Sequence, residues 1–564
     1  MNFLAPFRAA PTARASSPVG FYAHPDLEMV QLNHYGDALR VRDLYEGVQI
    51  FGATGSGKSS GSAKEIALAM LSAGWGGLVL CAKPDEADRW EKYARATGRT
   101  AHIVRMTPQG PFNFNFVDYE IHRPDGGGGQ TYNLVVLMEL VMDALARTLG
   151  TSGNSESSPF WPLSKREKLT NVIEPLVAAT GQFRLADAMR MVISAPKSRE
   201  EAFSDAWKAN SYCYHILRKA YDNPAGAPLP IHAHQASADY WFGTFAGLDS
   251  RTRSNIVATL TSAISPFLRG ILHDRFCTNT NVIPEMSQQG VVFLLDFPVK
   301  VWGALAVVAA HIFKYEWQRA MERRRVGPYT RPTFLFADEC QFYLSEYDAE
   351  FQSTARSSCT ATVYITQNLP TYYAQLPGRD PRATADSLLG NFQTKIYHAN
   401  TDPTTNQHAA DAIGKSIQRR RSGNWSSSNT AQSSETNSSN WGRQRGRSTG
   451  ESWGRNSSIG SSADNQGHFS VNGSHGRNSG GQEGQNWSRS DGGGYSYGDS
   501  VSLGQTAGGG WTEQVDYTVQ PAEFAACLRK GGAADGGLVD GIIVQGGRRF
   551  AATKAHWLPC TFRQ

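Results

Sequence analysis

The residues Gly52-Ala53-Thr54-Gly55-Ser56-Gly57-Lys58-Ser59 match GxxxxGK[ST], and they stand between a strand-like run, VQIFG, and a helix-like run, SGSAKEIALAML. This context restricts the fold more than any other stretch, because such a loop works where a strand hands over to a helix amino end. Its glycines let backbone amides close around a β-phosphate at that helix end. Lys58 is placed to reach the β and γ oxygens, and the Ser59 hydroxyl to ligate magnesium. The expected nucleotide-binding set is Gly52, Ala53, Thr54, Gly55, Ser56, Gly57, Lys58, Ser59 and Ser60, with ATP and Mg2+ as cofactors.

Binding is not hydrolysis, which needs a carboxylate to orient the metal and a base for the attacking water. Thr333-Phe-Leu-Phe-Ala-Asp338-Glu339 offers both at the end of an apolar strand. Asp338 is expected on the water shell of the metal, so the metal set is Ser59 and Asp338, and Glu339 is expected against the water. Asp296 also ends an apolar run, VVFLLDF, but lacks a paired acid and takes a structural reading. Gln367 ends ATVYITQ, where it could sense the γ-phosphate or orient the water. Arg356, in STARSS between those two strands, could face a neighbouring subunit and stabilise transition-state charge there. Both also fit the plainer role of a polar surface residue.

Strand-like and helix-like runs alternate through VQIFG, GLVLCAK, AHIVRM, VVFLLDF, TFLFADE and ATVYITQ, the pattern of a parallel sheet covered on both faces. Residues 131–275 read as helical almost throughout. Leu134, Leu137, Val141 and Leu145 recur there at helical spacing, so this interval is expected to be an all-helical domain inserted into the α/β one. From Gln418 to Thr512 the chain carries 22 Ser and 20 Gly among 95 residues, with no Lys, Pro or Cys. That composition cannot bury enough apolar surface to offset its ordering entropy, and it predicts a long, disordered and flexible insertion. Beyond it, GLVDGIIVQGGRRFAATKAHWLPC alternates like strands that close a sheet. The expected division is an amino-terminal extension over 1–40, an α/β domain over 41–130, 276–417 and 513–564, the helical domain over 131–275, and the flexible insertion over 418–512.

Composition narrows the remaining classes. The formal net charge of +5 is too small to mark a nucleic-acid binder by bulk charge, so any such site is local. Seven cysteines at long spacings, with no CxxC pair, exclude a disulfide scaffold and a zinc knuckle. The longest uncharged apolar run, Val301 to Phe313, is shorter than the about 18 to 20 residues needed to span a bilayer. The expected location is cytoplasmic. Lys165, Arg166 and Lys168, Arg251 with Arg253, and Arg419 to Arg421 suit phosphate contacts, but suit a solvated face equally. His232 and His234 lack a third metal ligand and read as loop residues.

Taken in order, these residues resemble the conjugative coupling ATPases of type IV secretion systems, the TraG/TraD group of the FtsK/HerA-like P-loop motors. The resemblance is carried by the phosphate loop, Lys83-Pro-Asp-Glu86, Phe112-Asn-Phe114, Ser158-Pro-Phe-Trp161 and Ser250 to Leu260. It continues through Ala337-Asp-Glu-Cys340, Ala355 to Asn368, Asn391 to Ile396 and Ala412 to Gly414. It implies a RecA-like P-loop NTPase domain and a homo-hexameric ring, with the helical domain contacting DNA and cargo proteins such as a relaxase beside the secretion channel components. It places Lys58, Ser59, Asp338, Glu339 and Gln367 at the nucleotide and makes Arg356 an arginine finger. The chain departs from the family in having Ala82 where an acid usually precedes the lysine, which leaves that role unfilled or passed to Asp85 or Glu86. The family usually anchors its ring through amino-terminal membrane helices, and no such helix is expected here, so the resemblance implies a place peripheral at the inner membrane at most. A motor moving DNA or a protein–DNA conjugate is the first reading; a soluble NTP-dependent switch that recruits cargo is the alternative.

Overall fold

The protein is described from a computed structural model, covering residues 24–123, 125, 127–128, 130–148, 160–376, 380–438, 445–463, 469–488 and 494–564. In chain order the strands are β1 (Glu28–Gln31), β2 (Ala38–Arg40), β3 (Val48–Phe51), β4 (Gly76–Leu80), β5 (Ile103–Met106), β6 (Val292–Leu295), β7 (Thr333–Asp338) and β8 (Thr360–Thr366). They continue with β9 (Thr394–His398), β10 (Lys415–Ser438), β11 (Arg445–Ala463), β12 (Phe469–Ser488), β13 (Gly494–Tyr517), β14 (Leu538–Gln545) and β15 (Trp557–Arg563). Two compact units result, residues 1–406 with 524–564, and residues 407–523.

In the first unit nine strands form one sheet in the order β15-β14-β9-β3-β8-β7-β4-β6-β5. The seven from β9 to β5 are parallel, and β14 and β15 close one edge antiparallel. Every residue of β3, β4, β7 and β8 is buried, as expected for parallel strands with both faces covered. On one face, Ile66, Ala67 and Met70 of the helix Ser62–Ser72 join Ile50, Val363 and Ile365 in the core. Trp90, from the helix Glu86–Ala96, stacks on Phe334 at 5.7 Å and meets Phe336 edge-on at 4.9 Å. Each such aromatic pair contributes about 0.5–1.5 kcal/mol beyond its buried area. The helix Ala304–Arg323 contains a fully buried Lys314, whose ammonium is 2.6 Å from Asp348. Tyr364 and Gln318 also donate to that carboxylate.

Among the described residues from Thr131 to Phe276 every element is a helix. Short ones begin where Ser198, Ser204 and Ser211 accept a backbone N–H through their side chains, which satisfies donors a helix start leaves open. Within the Ser-Pro-Phe-Trp motif, Ser158 and Pro159 lie outside the described residues. His232 and His234 sit on the helix Ile231–Ala238 rather than in a loop, and His234 Nε2 bonds the Leu217 carbonyl. No group of potential metal ligands occurs among the described residues, and no single described helix is long and apolar enough to cross a membrane.

Two expectations need correction. The amino-terminal extension over 1–40 is not separate throughout. Its described part contains β1 and β2, and Met29, Val30, Leu32 and Leu39 belong to the core already described. Asp37 fixes them by accepting the amides of Ala551 and Ala552. Residues 1–23 lie outside the description. The insertion over 418–512 is not disordered along its described length: β10 to β13 form an antiparallel sheet in the order β10-β13-β12-β11. Side-chain burial is only one of the terms that order a chain. A chain without proline keeps an N–H on every residue, and ladder pairing uses those groups whatever the side chains.

Candidate active site

Strand order assembles the site. Phe51 is level with Thr366, Asp338 with Ile365, and Leu80 with Ala337, so the carboxyl ends of β3, β8, β7 and β4 form one edge. Four segments far apart in sequence therefore meet there.

The phosphate loop leaves β3 with Gly55 at φ 73° and Gly57 at φ 77°, backbone angles that suit glycine and strain other residues. A Cβ at Gly57 would also run into the side chain of Val539 in β14. The Ser56 amide bonds the Ala53 carbonyl, and the Gly61 amide bonds Gly57 as the helix begins. Among the described residues the amides of Gly55, Gly57 and Lys58 take no backbone carbonyl, which leaves them for an anion. Lys58 is only 6 % exposed. Burial pushes its ammonium below the usual lysine range, and the charges of Asp338 and Glu339 oppose that.

Ser59 Oγ donates to Asp338 Oδ2 at 2.7 Å, while Asp338 Oδ1 is buried without a hydrogen-bond partner. A hydroxyl and a carboxylate with a spare oxygen are the hard donors Mg2+ prefers, so Ser59 and Asp338 fit the metal. The bound metal would polarise phosphate oxygens.

Glu339 follows in the left-handed region at φ 59° and ψ 47°. Such a conformation is costly for a residue with a side chain and is held by its surroundings. Lys83 Nζ donates to Glu339 Oε1 at 2.8 Å, Gln341 Nε2 to Oε2 at 2.8 Å, and Gln367 Nε2 lies 3.4 Å from Oε2. Burial alone would raise the Glu339 carboxyl; the bonds from Lys83 and Gln341, with the charges of Lys83 and Lys58, hold it below the usual glutamate range. It is therefore ionised at neutral pH, as a base must be.

Arg356 is not among these groups. It sits before β8 begins, at the other edge of the sheet, with its side chain 70 % exposed and 3.2 Å from Glu46. Asp296 directly follows β6 but is tied to Arg105 at 2.7 Å, which agrees with a structural role. Sequence reasoning missed three participants, Lys83, Gln341 and His398. Glu86, one candidate for the role of the acid that Ala82 replaces, accepts the amides of Ala82 and Lys83 and so fixes the turn carrying Lys83. Gln341 bridges Glu339 to Thr366. His398, at the end of β9, bonds Ser62 Oγ at 2.7 Å and the Asp540 carbonyl at 2.8 Å. A polar residue closing a buried strand was the available signal for His398.

Residues 332–449 match a family model described as the TraM recognition site of TraD and TraG. The chain is similar to the TraG and TraD proteins. The matched TraG/TraD segment includes β7, β8 and β9, and so carries Asp338, Glu339 and Gln367. Among solved structures, the conjugative coupling protein TrwBdeltaN70 in its unbound monoclinic form is 13% identical, with 94% of this chain and 87% of that chain covered and a TM-score of 0.49. TrwB in complex with the ATP analogue ADPNP is 14% identical over 73% of this chain and 86% of that one, at a TM-score of 0.46. VirB4 of Thermoanaerobacter pseudethanolicus is 12% identical over 70% and 88%, at 0.36. No curated protein matches the sequence.

Proposed function

We propose that the chain is an ATP-hydrolysing motor that works as a ring of six copies and couples DNA, or a protein–DNA conjugate, to a type IV secretion channel. One observation carries the hydrolytic part: Ser59 and Asp338 share a 2.7 Å hydrogen bond while the ionised Glu339 stands beside them. Mg2+–ATP would lie with its phosphates along the loop, Lys58 on the β and γ oxygens and the metal at Ser59 and Asp338. Glu339 would take the proton of the attacking water, and Gln367 would orient that water. Arg356, remote from its own site, would serve a neighbour's γ-phosphate. The TraG/TraD match supports a relaxosome component of the TraM kind, or a relaxase, as partner of residues 332–449.

The pairing of Arg356 with Glu46 of the same chain favours a second reading, a switch that binds and hydrolyses NTP without a finger in trans. The ATPase rate with and without single- and double-stranded DNA, run beside native mass measurement, separates the two. DNA stimulation in a six-copy assembly supports the motor. A monomer whose rate ignores DNA leaves the switch.

A further inference from the structure

Lys83 has no part in the scheme above, yet it is among the groups closest to the two acids. Its ammonium is 2.8 Å from Glu339 Oε1 and 3.7 Å from Asp338 Oδ2, and Asp338 Oδ2 in turn accepts the Ser59 hydroxyl. Asp338 and Glu339 are 2 % and 5 % exposed. Two carboxylates so deeply placed repel each other unless cations stand near them. Without nucleotide those cations are Lys58 and Lys83, and with both present the four charges cancel.

We propose that Lys83 is a resident cation that holds the place of the metal: it neutralises Asp338 and Glu339 while the site is empty, and yields both acids when Mg2+–nucleotide arrives. The inference rests on reading this loop as a Mg2+–nucleotide site. Lys83 is a positioning residue, acting on the reaction through Glu339.

Three features suit the exchange. Lys83 is 35 % exposed at its side chain, so it can swing to water without breaking packing. Its backbone is pinned by the bond from its amide to Glu86, so the side chain moves on a fixed base. Glu339 keeps the bond from Gln341 and the neighbouring Gln367 amide when Lys83 leaves, so the base stays placed for the water.

The test uses the whole protein and a fluorescent ADP analogue, and reads the Mg2+ concentration that gives half-maximal nucleotide binding. Lys83→Met removes the competitor for the metal position, whose charge is attenuated by its partial exposure. The expected midpoint therefore falls roughly tenfold, about 1.4 kcal/mol. Lys83→Arg keeps the charge and returns the midpoint to the wild-type value. Lys83→Gln keeps a donor to Glu339 without the charge and shifts with Lys83→Met, which supplies the reading if the methionine variant does not fold. In the absence of nucleotide, Mg2+ alone should raise the melting temperature of the uncharged variants more than that of wild type. Midpoints unchanged in Lys83→Met or Lys83→Gln, or raised, overturn the proposal with the nucleotide site intact. Wild-type binding that is absent or indifferent to Mg2+ overturns the nucleotide-site reading, and this inference with it.

Discussion

Acidification should loosen the phosphate loop through His398. The ring is fully buried, with Nδ1 on the Asp540 carbonyl and Nε2 on Ser62 Oγ. Since a carbonyl only accepts, Nδ1 carries the proton and Nε2 accepts from the hydroxyl. Burial pushes the imidazole down to about 4, against about 6.5 in the unfolded chain. The folded state therefore stays neutral where the unfolded state takes up a proton. This contribution to stability is complete above pH 6.5 and is lost as the pH falls from 6.5 toward 4.

The loss is about 1.4 kcal/mol per pH unit, so between pH 7.5 and pH 5.0 His398 alone should account for about 2 kcal/mol. Ser62 opens the helix that follows the loop, so nucleotide affinity should weaken as the ring gains its proton. The assay is urea denaturation of wild type and His398→Gln at both pH values, each protein compared with itself. Glutamine keeps a donor and an acceptor but does not titrate, which removes the other histidines from the difference. Wild type should lose about 2 kcal/mol more than the variant. Equal losses would refute the placement of a neutral, buried His398 behind the loop.

Lys58→Ala should abolish hydrolysis with an unchanged circular dichroism spectrum, because it removes the charge on the β and γ oxygens; turnover at the wild-type rate would remove Lys58 from the site. Replacing residues 423–510 by an Asn-Gly turn should leave a cooperatively melting, ATP-hydrolysing protein, because the nine-stranded sheet lies wholly in residues 1–406 and 524–564; an insoluble product contradicts this. Mixed rings of Arg356→Ala and Lys58→Ala subunits should regain activity that neither has alone, since a finger is worth about 10³ to 10⁵ in turnover. Mixed rings confirmed by native mass but still inactive would remove Arg356 from catalysis.

The parts of the fold and site legible in the sequence were those written locally. A glycine-rich loop between a strand and a helix, and acids closing an apolar strand, each declare themselves within a dozen residues. The strand-like runs carrying them are the parallel strands of the sheet, and the alternating tail after the insertion is β14 and β15. What escaped depends on strand order. Lys83 reaches Glu339 across 256 positions because β4 and β7 are neighbours, and nothing near Lys83 specifies that adjacency. His398 meets Ser62 through β9 lying against β3. The Ser/Gly-rich segment was misjudged for another reason: its side chains say little about a backbone that can pair with itself.

The central claim is that Asp338 and Glu339 serve a nucleotide held by the loop, with Glu339 as the base. Single-turnover phosphate release by Glu339→Gln, measured beside ATP retention on the same protein, tests it most directly. Loss of a positioned base should slow release by about 10² to 10⁴, while ATP stays bound, because the loop amides, Lys58 and Ser59 are untouched. Release at the wild-type rate, or ATP lost as readily as from Lys58→Ala, would contradict the account.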